Sequence, residues 1–233
     1  RQGADIFEAI RGIFRTLNST AGSFAGDNMV VWGRTLGFMQ DKAFVESVHR
    51  NTRSGAERGT LWRLVTLVWA ARQAQALDGD FVECACYRGS SARIVTDMVG
   101  LEGRRYFLYD LFDHDETMPH HSMPEHSKTL YDEVRARFPE EGVVITQGRV
   151  PDSLSIASPE RIAFMHLDLN NRDAEIGALE VLWDRIVPGG ILILDDFGWS
   201  GYKAQHTAEV AWLKERGHHI LELPTAQGLV IKH

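Results

Sequence analysis

The sequence predicts an α/β protein. Its expected core is a seven-stranded, mostly parallel sheet with helices on both faces and an antiparallel last strand, preceded by an N-terminal helical extension. Three observations predict it. From Asp80 onward, short apolar runs alternate with segments of helical period, and a βαβα order implies a parallel sheet covered on both sides. The run Ile191-Leu192-Ile193-Leu194 is continuously apolar, as a strand buried on both faces must be. The chain closes on two short β-like runs around a turn containing Pro and Gly, which reads as a hairpin and makes the final strand antiparallel.

Taken in order, the stretch from Ala4 to Ala76 reads as helical, and Leu61–Ala71 has apolar residues at several helical spacings. Asp78-Gly79 ends it. Residues 1–78 are therefore expected as a helical extension or lid, and residues 79–233 as one compact unit. Strands are expected at Phe81–Ala85, Tyr106–Asp110, Val143–Thr146, Ala163–Asp168 and Ile191–Leu194. Helices fall between and after them at Ser91–Val99, Thr129–Phe138, Asp173–Ile186 and Lys203–Arg216. The terminal hairpin joins His219–Leu223 to Gly228–Lys232.

With 233 residues and 44% hydrophobic content, the chain can bury a sizeable core without staples. A formal net charge of −7 and no long basic run disfavour binding to a nucleic-acid backbone. The longest apolar runs are too short to span a bilayer, and no signal-peptide pattern follows Arg1. Cys84 and Cys86 lie two apart on one predicted strand, a poor geometry for a bridge and too few thiols for a metal site. They read as buried free thiols in a reducing cytosol, so a cytoplasmic protein is expected.

The candidate chemistry sits at the carboxyl ends of the strands, where open parallel sheets bind ligands. The apolar run from Ile191 ends in Asp195-Asp196, and the run from Ile162 passes His166 to end at Asp168. If those two strands are neighbours, Asp168, Asp195 and Asp196 converge, placed for a metal or a substrate rather than only for capping the next helix. The first strand carries Glu83 and runs through Cys84 and Ala85 into a turn with Arg88, Gly89, Ser90 and Ser91. A strand, a turn and a helix form the usual nucleotide cradle, but the dinucleotide fingerprint G-x-G-x-x-G is absent. The second strand ends at Asp110, whose two oxygens match the vicinal diol of a ribose. With Glu83, Asp110 suggests an adenosine site, and Gly148 after Gln147 would let the backbone approach a flat ligand. The segment from Asp113 to His126 holds His114, His120, His121 and His126, and a loop there can cover a site.

As a set, several pieces resemble the macrocin O-methyltransferase family, class I S-adenosylmethionine-dependent enzymes that include the novobiocin-pathway sugar O-methyltransferase. The pieces are Gly79-Asp80-Phe81-Val82-Glu83-Cys84 with Arg88-Gly89, Tyr109-Asp110-Leu111-Phe112, His166-Leu167-Asp168, and Pro188-Gly189-Gly190 through Asp195-Asp196-Phe197-Gly198-Trp199. The resemblance runs from about Asp27 to Lys232 and implies a Rossmann-like class I methyltransferase fold. It implies Mg²⁺ held by Asp168, Asp195 and Asp196 and gripping the acceptor hydroxyl; all-oxygen ligands suit that ion. It also implies S-adenosylmethionine across the first two strand ends. Its contacts would come from Glu83, Cys84, Ala85, Arg88, Gly89, Ser90 and Ser91. Asp110, Phe112, Gln147, Gly148 and Asp168 would complete them. A homodimer and a small-molecule acceptor follow from the same resemblance.

Two positions depart from the family pattern. Ala85 stands where the family has glycine. Asn170 stands where the family's His-x-Asp-x-Asp places a second Asp, its proposed catalytic base. A neutral amide takes up no proton at working pH. His166 is then a candidate base beside the loop histidines His114, His120 and His121, with a hydrogen-bonded core role as its alternative. The expected function is Mg²⁺-dependent O-methylation of a small molecule, with an acidic or chelating hydroxyl pair favoured over an isolated sugar hydroxyl. A nitrogen or carbon acceptor, and a non-catalytic S-adenosylmethionine-binding protein, are the alternatives.

Overall fold

The computed structural model describes residues 22–114 and 123–233, with residues 8, 12, 13 and 16 of the N-terminal stretch. The chain divides into two units, Arg1–Val65 and Thr66–His233.

In the first unit, residues expected to be helical form a hairpin of β1 (Phe24–Gly26) and β2 (Met29–Val31). Its turn residues Asp27 and Asn28 are both left-handed, with φ of 51° and 56°. Asp and Asn tolerate that region, and a two-residue turn with both φ positive matches the twist of paired strands. Helix α1 (Lys42–Asn51) follows, capped by Asp41, whose carboxylate accepts the Phe44 N–H at 3.1 Å. The short α2 (Gly55–Gly59) is capped by Ser54 through the Glu57 N–H, also at 3.1 Å. Helix α3 (Leu61–Ala74) runs across the unit boundary, extends past Ala71 and stops before Asp78-Gly79. The remaining helical expectation, over most of residues 4–21, lies outside the described residues.

The second unit has the expected alternation: β3 (Asp80–Cys84), α4 (Ser90–Val99), β4 (Tyr106–Asp110), α5 (Leu130–Arg137), β5 (Val143–Gln147), β6 (Ile162–Leu167), α6 (Arg172–Leu182), β7 (Ile186–Leu194) and α7 (Lys203–Glu215). The terminal hairpin is β8 (Leu221–Glu222) and β9 (Gly228–Ile231). The seven strands lie in the order β5-β4-β3-β6-β7-β9-β8. Pairing is parallel from β5 to β7 and antiparallel for β9 against both β7 and β8.

The main departure is at β7, which takes in Pro188-Gly189-Gly190 instead of turning there. The Gly189 N–H donates to the Lys232 carbonyl at 2.6 Å, and the Lys232 N–H donates to that of Gly190 at 2.9 Å. A register shift between Ile162 and Phe164 absorbs the extra residues. Helix α6 accordingly ends at Leu182, and Trp183–Arg185 form a single 3₁₀ turn. On one face of the sheet, Val82, Tyr109, Met165 and Leu192 pack in a core with Leu179, Leu182 and Trp212. After β5 the chain returns to the far side of β3, so the strand order reverses between β3 and β6. In such sheets the crevice at the carboxyl ends beside that reversal is the ligand site.

Candidate functional site

The acidic cluster is placed by the main chain. Leu167 pairs with Cys84 on one side and Leu194 on the other. Just past those pairs, the Asp168 N–H donates to the Cys84 carbonyl at 3.1 Å and the Asp195 N–H to the Leu167 carbonyl at 2.8 Å. The two strands are neighbours, and Asp168 and Asp195 meet. His166, Asp168 and Asp195 each bring a ligand atom to within 4.8 Å of the others. Asp196 is not part of that group; it has a φ of 52° and acts on Asp168 through its charge. The Gln227 amide donates to Asp195 Oδ1 at 3.0 Å and is itself held by the Thr225 hydroxyl.

Burial raises the Asp168 pKa well above the carboxylate range, with repulsion from Asp195 and then Asp196 adding to it, against the opposing pull of His166. A divalent cation would relieve that repulsion, and hard carboxylate oxygens on adjacent strand ends are the donors Mg²⁺ takes. The residues therefore fit the ion. His166 lies buried between Glu83 (Nδ1 to Oε1, 3.5 Å) and Asp195 (Nε2 to Oδ1, 3.8 Å). Burial lowers its pKa, but its interactions with Asp195 and Glu83 outweigh that and leave it raised well above the ordinary value. Burial, then the charges of Asp196 and Asp168, also raises the pKa of Tyr202. Asn170, left-handed at φ 53°, donates from Nδ2 to Asp168 Oδ1 at 3.3 Å.

At the other side of the reversal, Ala85, Tyr87 and Gly89 all have positive φ, of 68°, 48° and 68°. The first two are strained positions for L-residues. A Cβ on Gly89 would meet the Phe138 ring at 2.8 Å. Both Asp110 oxygens accept backbone N–H groups at 2.7 Å, Oδ2 from Tyr87 and Oδ1 from Phe112. Asp110 pairs with Gln147 at the next strand end, and the Gly148 N–H donates to the Asp110 carbonyl at 2.9 Å. Glu83 points into the core instead, accepting from Tyr106 Oη at 3.0 Å and from Ser91 Oγ. Ser90 accepts from Arg137 at 3.1 Å. Strand β3 ends at Cys84, so Cys86 belongs to the turn and not to the strand. Both cysteines are free and buried, as expected.

Part of the histidine loop folds onto this cradle. His126 Nε2 sits 3.6 Å from Asp110 Oδ1, its ring meeting the Tyr87 ring edge-on and stacking with His114. The Glu125 N–H donates to the Tyr87 hydroxyl at 3.0 Å, and the Glu125 carboxylate pairs with Arg88 at 3.1 Å. His120 and His121 lie outside the described residues. The contact of His126 with Asp110 agrees with a loop that covers the site. Sequence reading missed Gln227, which belongs to no motif and reaches Asp195 by long-range packing.

A family model described as macrocin O-methyltransferase (TylF) matches residues 60–219. Over 146 residues the chain is 32% identical to the 8-demethyl-8-(2,3-dimethoxy-alpha-L-rhamnosyl)-tetracenomycin-C 4'-O-methyltransferase of Streptomyces olivaceus. That match covers 53% of this chain and 55% of the other, so the chain spans about half the length of this curated relative. The structure resembles the O-methyltransferase NovP with a TM-score of 0.63 at 16% identity, over 81% of this chain and 88% of NovP. It resembles CalS11, the TDP-rhamnose 3'-O-methyltransferase of calicheamicin biosynthesis, with a TM-score of 0.58 at 14% identity, over 82% and 94% of the two chains. The S-adenosylhomocysteine-bound Podospora anserina methyltransferase PaMTH1 gives 0.62 at 13% identity, over 97% and 96%. At such identities the likeness shows the fold, which is the α/β methyltransferase fold expected. The family match spans well over half the sequence, from the start of α3 almost to β8: this chain belongs to the macrocin O-methyltransferase family.

Proposed function

We propose that the chain is an S-adenosylmethionine-dependent O-methyltransferase that modifies a sugar hydroxyl of a small-molecule natural product. The observation that carries this reading is the meeting of Asp168 and Asp195 beside the Gly89–Asp110 cradle at one strand-order reversal, in a chain of this family. When bound, S-adenosylmethionine supplies an electrophilic methyl group, and Mg²⁺ held by Asp168 and Asp195, with the charge of Asp196 nearby, would supply Lewis acidity toward the acceptor oxygen. The chain's own residues do the rest. Asp110 keeps lone pairs for a ribose diol beyond the two that hold Tyr87 and Phe112. Gln147 and Gly148 flank the adenine side. Asp168 is steered by the Asn170 amide, which orients it and takes no proton. His166, held protonated between Glu83 and Asp195, serves as a counter-charge more readily than as a base. Most of the acceleration then comes from positioning and charge.

The names of the relatives weigh toward a sugar and away from the phenol or catechol favoured on chemical grounds. A vicinal sugar diol reconciles the two, because its paired oxygens can chelate. The homodimer and the use of residues 1–78 as a lid belong to the same reading. The test is turnover of S-adenosylmethionine against a panel of rhamnosylated polyketides, free catechols and amines, with the product identified by mass spectrometry and NMR. Methylation of a sugar oxygen supports the reading. Binding of S-adenosylhomocysteine without turnover of any acceptor would favour the non-catalytic alternative.

A further inference from the structure

Behind the acidic cluster lies a second pair of acids that no motif marks. Glu175, in the first turn of α6, is fully buried, and its Oε1 accepts the Leu169 N–H at 2.8 Å. Leu169 stands between Asp168 and left-handed Asn170, at the reversal from β6 into α6. That reversal is tied at three places. Asp168 N–H is held by the Cys84 carbonyl, Leu169 N–H by Glu175, and the helix start by Asn171, which accepts from the Asp173 and Ala174 N–H groups at 3.1 Å. Of the three, Glu175 alone is a long side chain reaching back from the helix to fix a peptide that flanks both Asp168 and Asn170.

The surroundings of Glu175 are unusual for an anchor. On α7, Glu209 is also fully buried, and its charge acts on Glu175. Among the described residues, Glu175 Oε2 and both Glu209 oxygens have no hydrogen-bond partner. His166 supplies an opposing charge that acts on Glu175. A buried pair of acids is expensive unless it does something a neutral residue could not do more cheaply.

We infer that Glu175 is a positioning residue: it holds the Leu169 peptide so that Asp168 and Asn170 face the acceptor, with Glu209 as the acid that shares its buried pocket. The inference rests on the reading of Asp168 as a metal-binding and acceptor-facing residue. It does not make Glu175 a ligand. Burial pushes Glu209 up to about 7, against the pull of Gln205 one turn earlier, which eases the repulsion between the two acids.

The test uses the full chain, with Mn²⁺ as a paramagnetic probe of the metal site and S-adenosylhomocysteine affinity as a control. Replacing both acids, Glu175→Leu with Glu209→Leu, removes the pair of buried charges together, so neither is left uncompensated, and denaturant unfolding checks that the fold is kept. It removes the Leu169 anchor all the same. Mn²⁺ affinity should fall about tenfold or more, the usual loss for a partner that orients a ligand, while S-adenosylhomocysteine affinity stays within about twofold. Glu175→Gln keeps an oxygen for the Leu169 N–H and should restore Mn²⁺ affinity. Hydrogen exchange over residues 167–171, read without metal, should quicken in the double variant and not in Glu175→Gln. Unchanged exchange and unchanged Mn²⁺ affinity in the double variant would overturn the inference, as would failure of Glu175→Gln to rescue. If the wild type binds no Mn²⁺ yet exchange quickens as expected, the anchor stands and the metal reading is what fails.

Discussion

Asn170 is the residue on which the chemistry of the proposed site turns. Its amide hydrogen-bonds to Asp168 and cannot take a proton. Asn170→Asp should therefore raise turnover on aliphatic hydroxyls, seen as a higher kcat with little change in S-adenosylmethionine affinity. A lower kcat would show that the amide's hold on Asp168 matters more. Asp110 is the second residue with a sharp test. If Asp110 binds the ribose as proposed, Asp110→Ala should weaken S-adenosylhomocysteine binding by at least about tenfold in calorimetry. His126 lies against the same carboxylate, so His126→Ala should leave that affinity unchanged or improve it. A loss would instead place the imidazole among the cofactor's own partners.

Elements were legible where their residues alone decide them. The central strands β4 and β6 and the second half of β7 announce themselves as near-continuous apolar runs, since both faces are covered. The hairpin at Phe24–Val31 did not, because two three-residue strands carry no period, and the stretch read as helical instead. β7 outran its expected start because Pro188-Gly189-Gly190 finds hydrogen-bond partners in the C-terminal strand, a contact no local window contains. The same rule divides the site. Asp168, Asp195 and Asp110 were readable as strand ends, whereas Gln227 and Glu175 reach the site only through packing. The turn after β3 gives a test at this scale. Gly89→Ala would place a Cβ against the Phe138 ring at 2.8 Å in a left-handed position. It should cost about 2 kcal/mol in denaturant unfolding. Ala85→Gly relieves the neighbouring strain at φ 68° and should be neutral or stabilising by up to about 1 kcal/mol.

For the whole molecule, buried acids set an uncommon dependence of stability on pH. Glu209 rises from an ordinary 4.5 to about 7 in the folded chain. Between those values the unfolded chain releases a proton that the folded chain keeps, so rising pH favours unfolding. His166, also raised, pushes the same way: its contribution is full below its unfolded value and is lost as pH climbs through the folded one. Stability should thus fall from pH 4.5 toward 7, read as a falling melting temperature, with Glu209 contributing roughly 3 kcal/mol of the loss. Glu209→Gln should flatten that part of the profile, and an unchanged slope would remove Glu209 as its source. Chelation tests the assembled site: excess EDTA should abolish methyl transfer and Mg²⁺ restore it, while Asp168→Asn and Asp195→Asn lose turnover and keep most S-adenosylhomocysteine affinity. The peptide steps from Cys84 to Asp168 and from Leu167 to Asp195 carry one more consequence. Because rungs of the sheet seat these two carboxylates, the loop after Asp196 can be rewritten without unseating them. Grafting residues 199–202, beyond buried Phe197, from a relative with a different acceptor should change the acceptor while the affinity for S-adenosylhomocysteine stays the same.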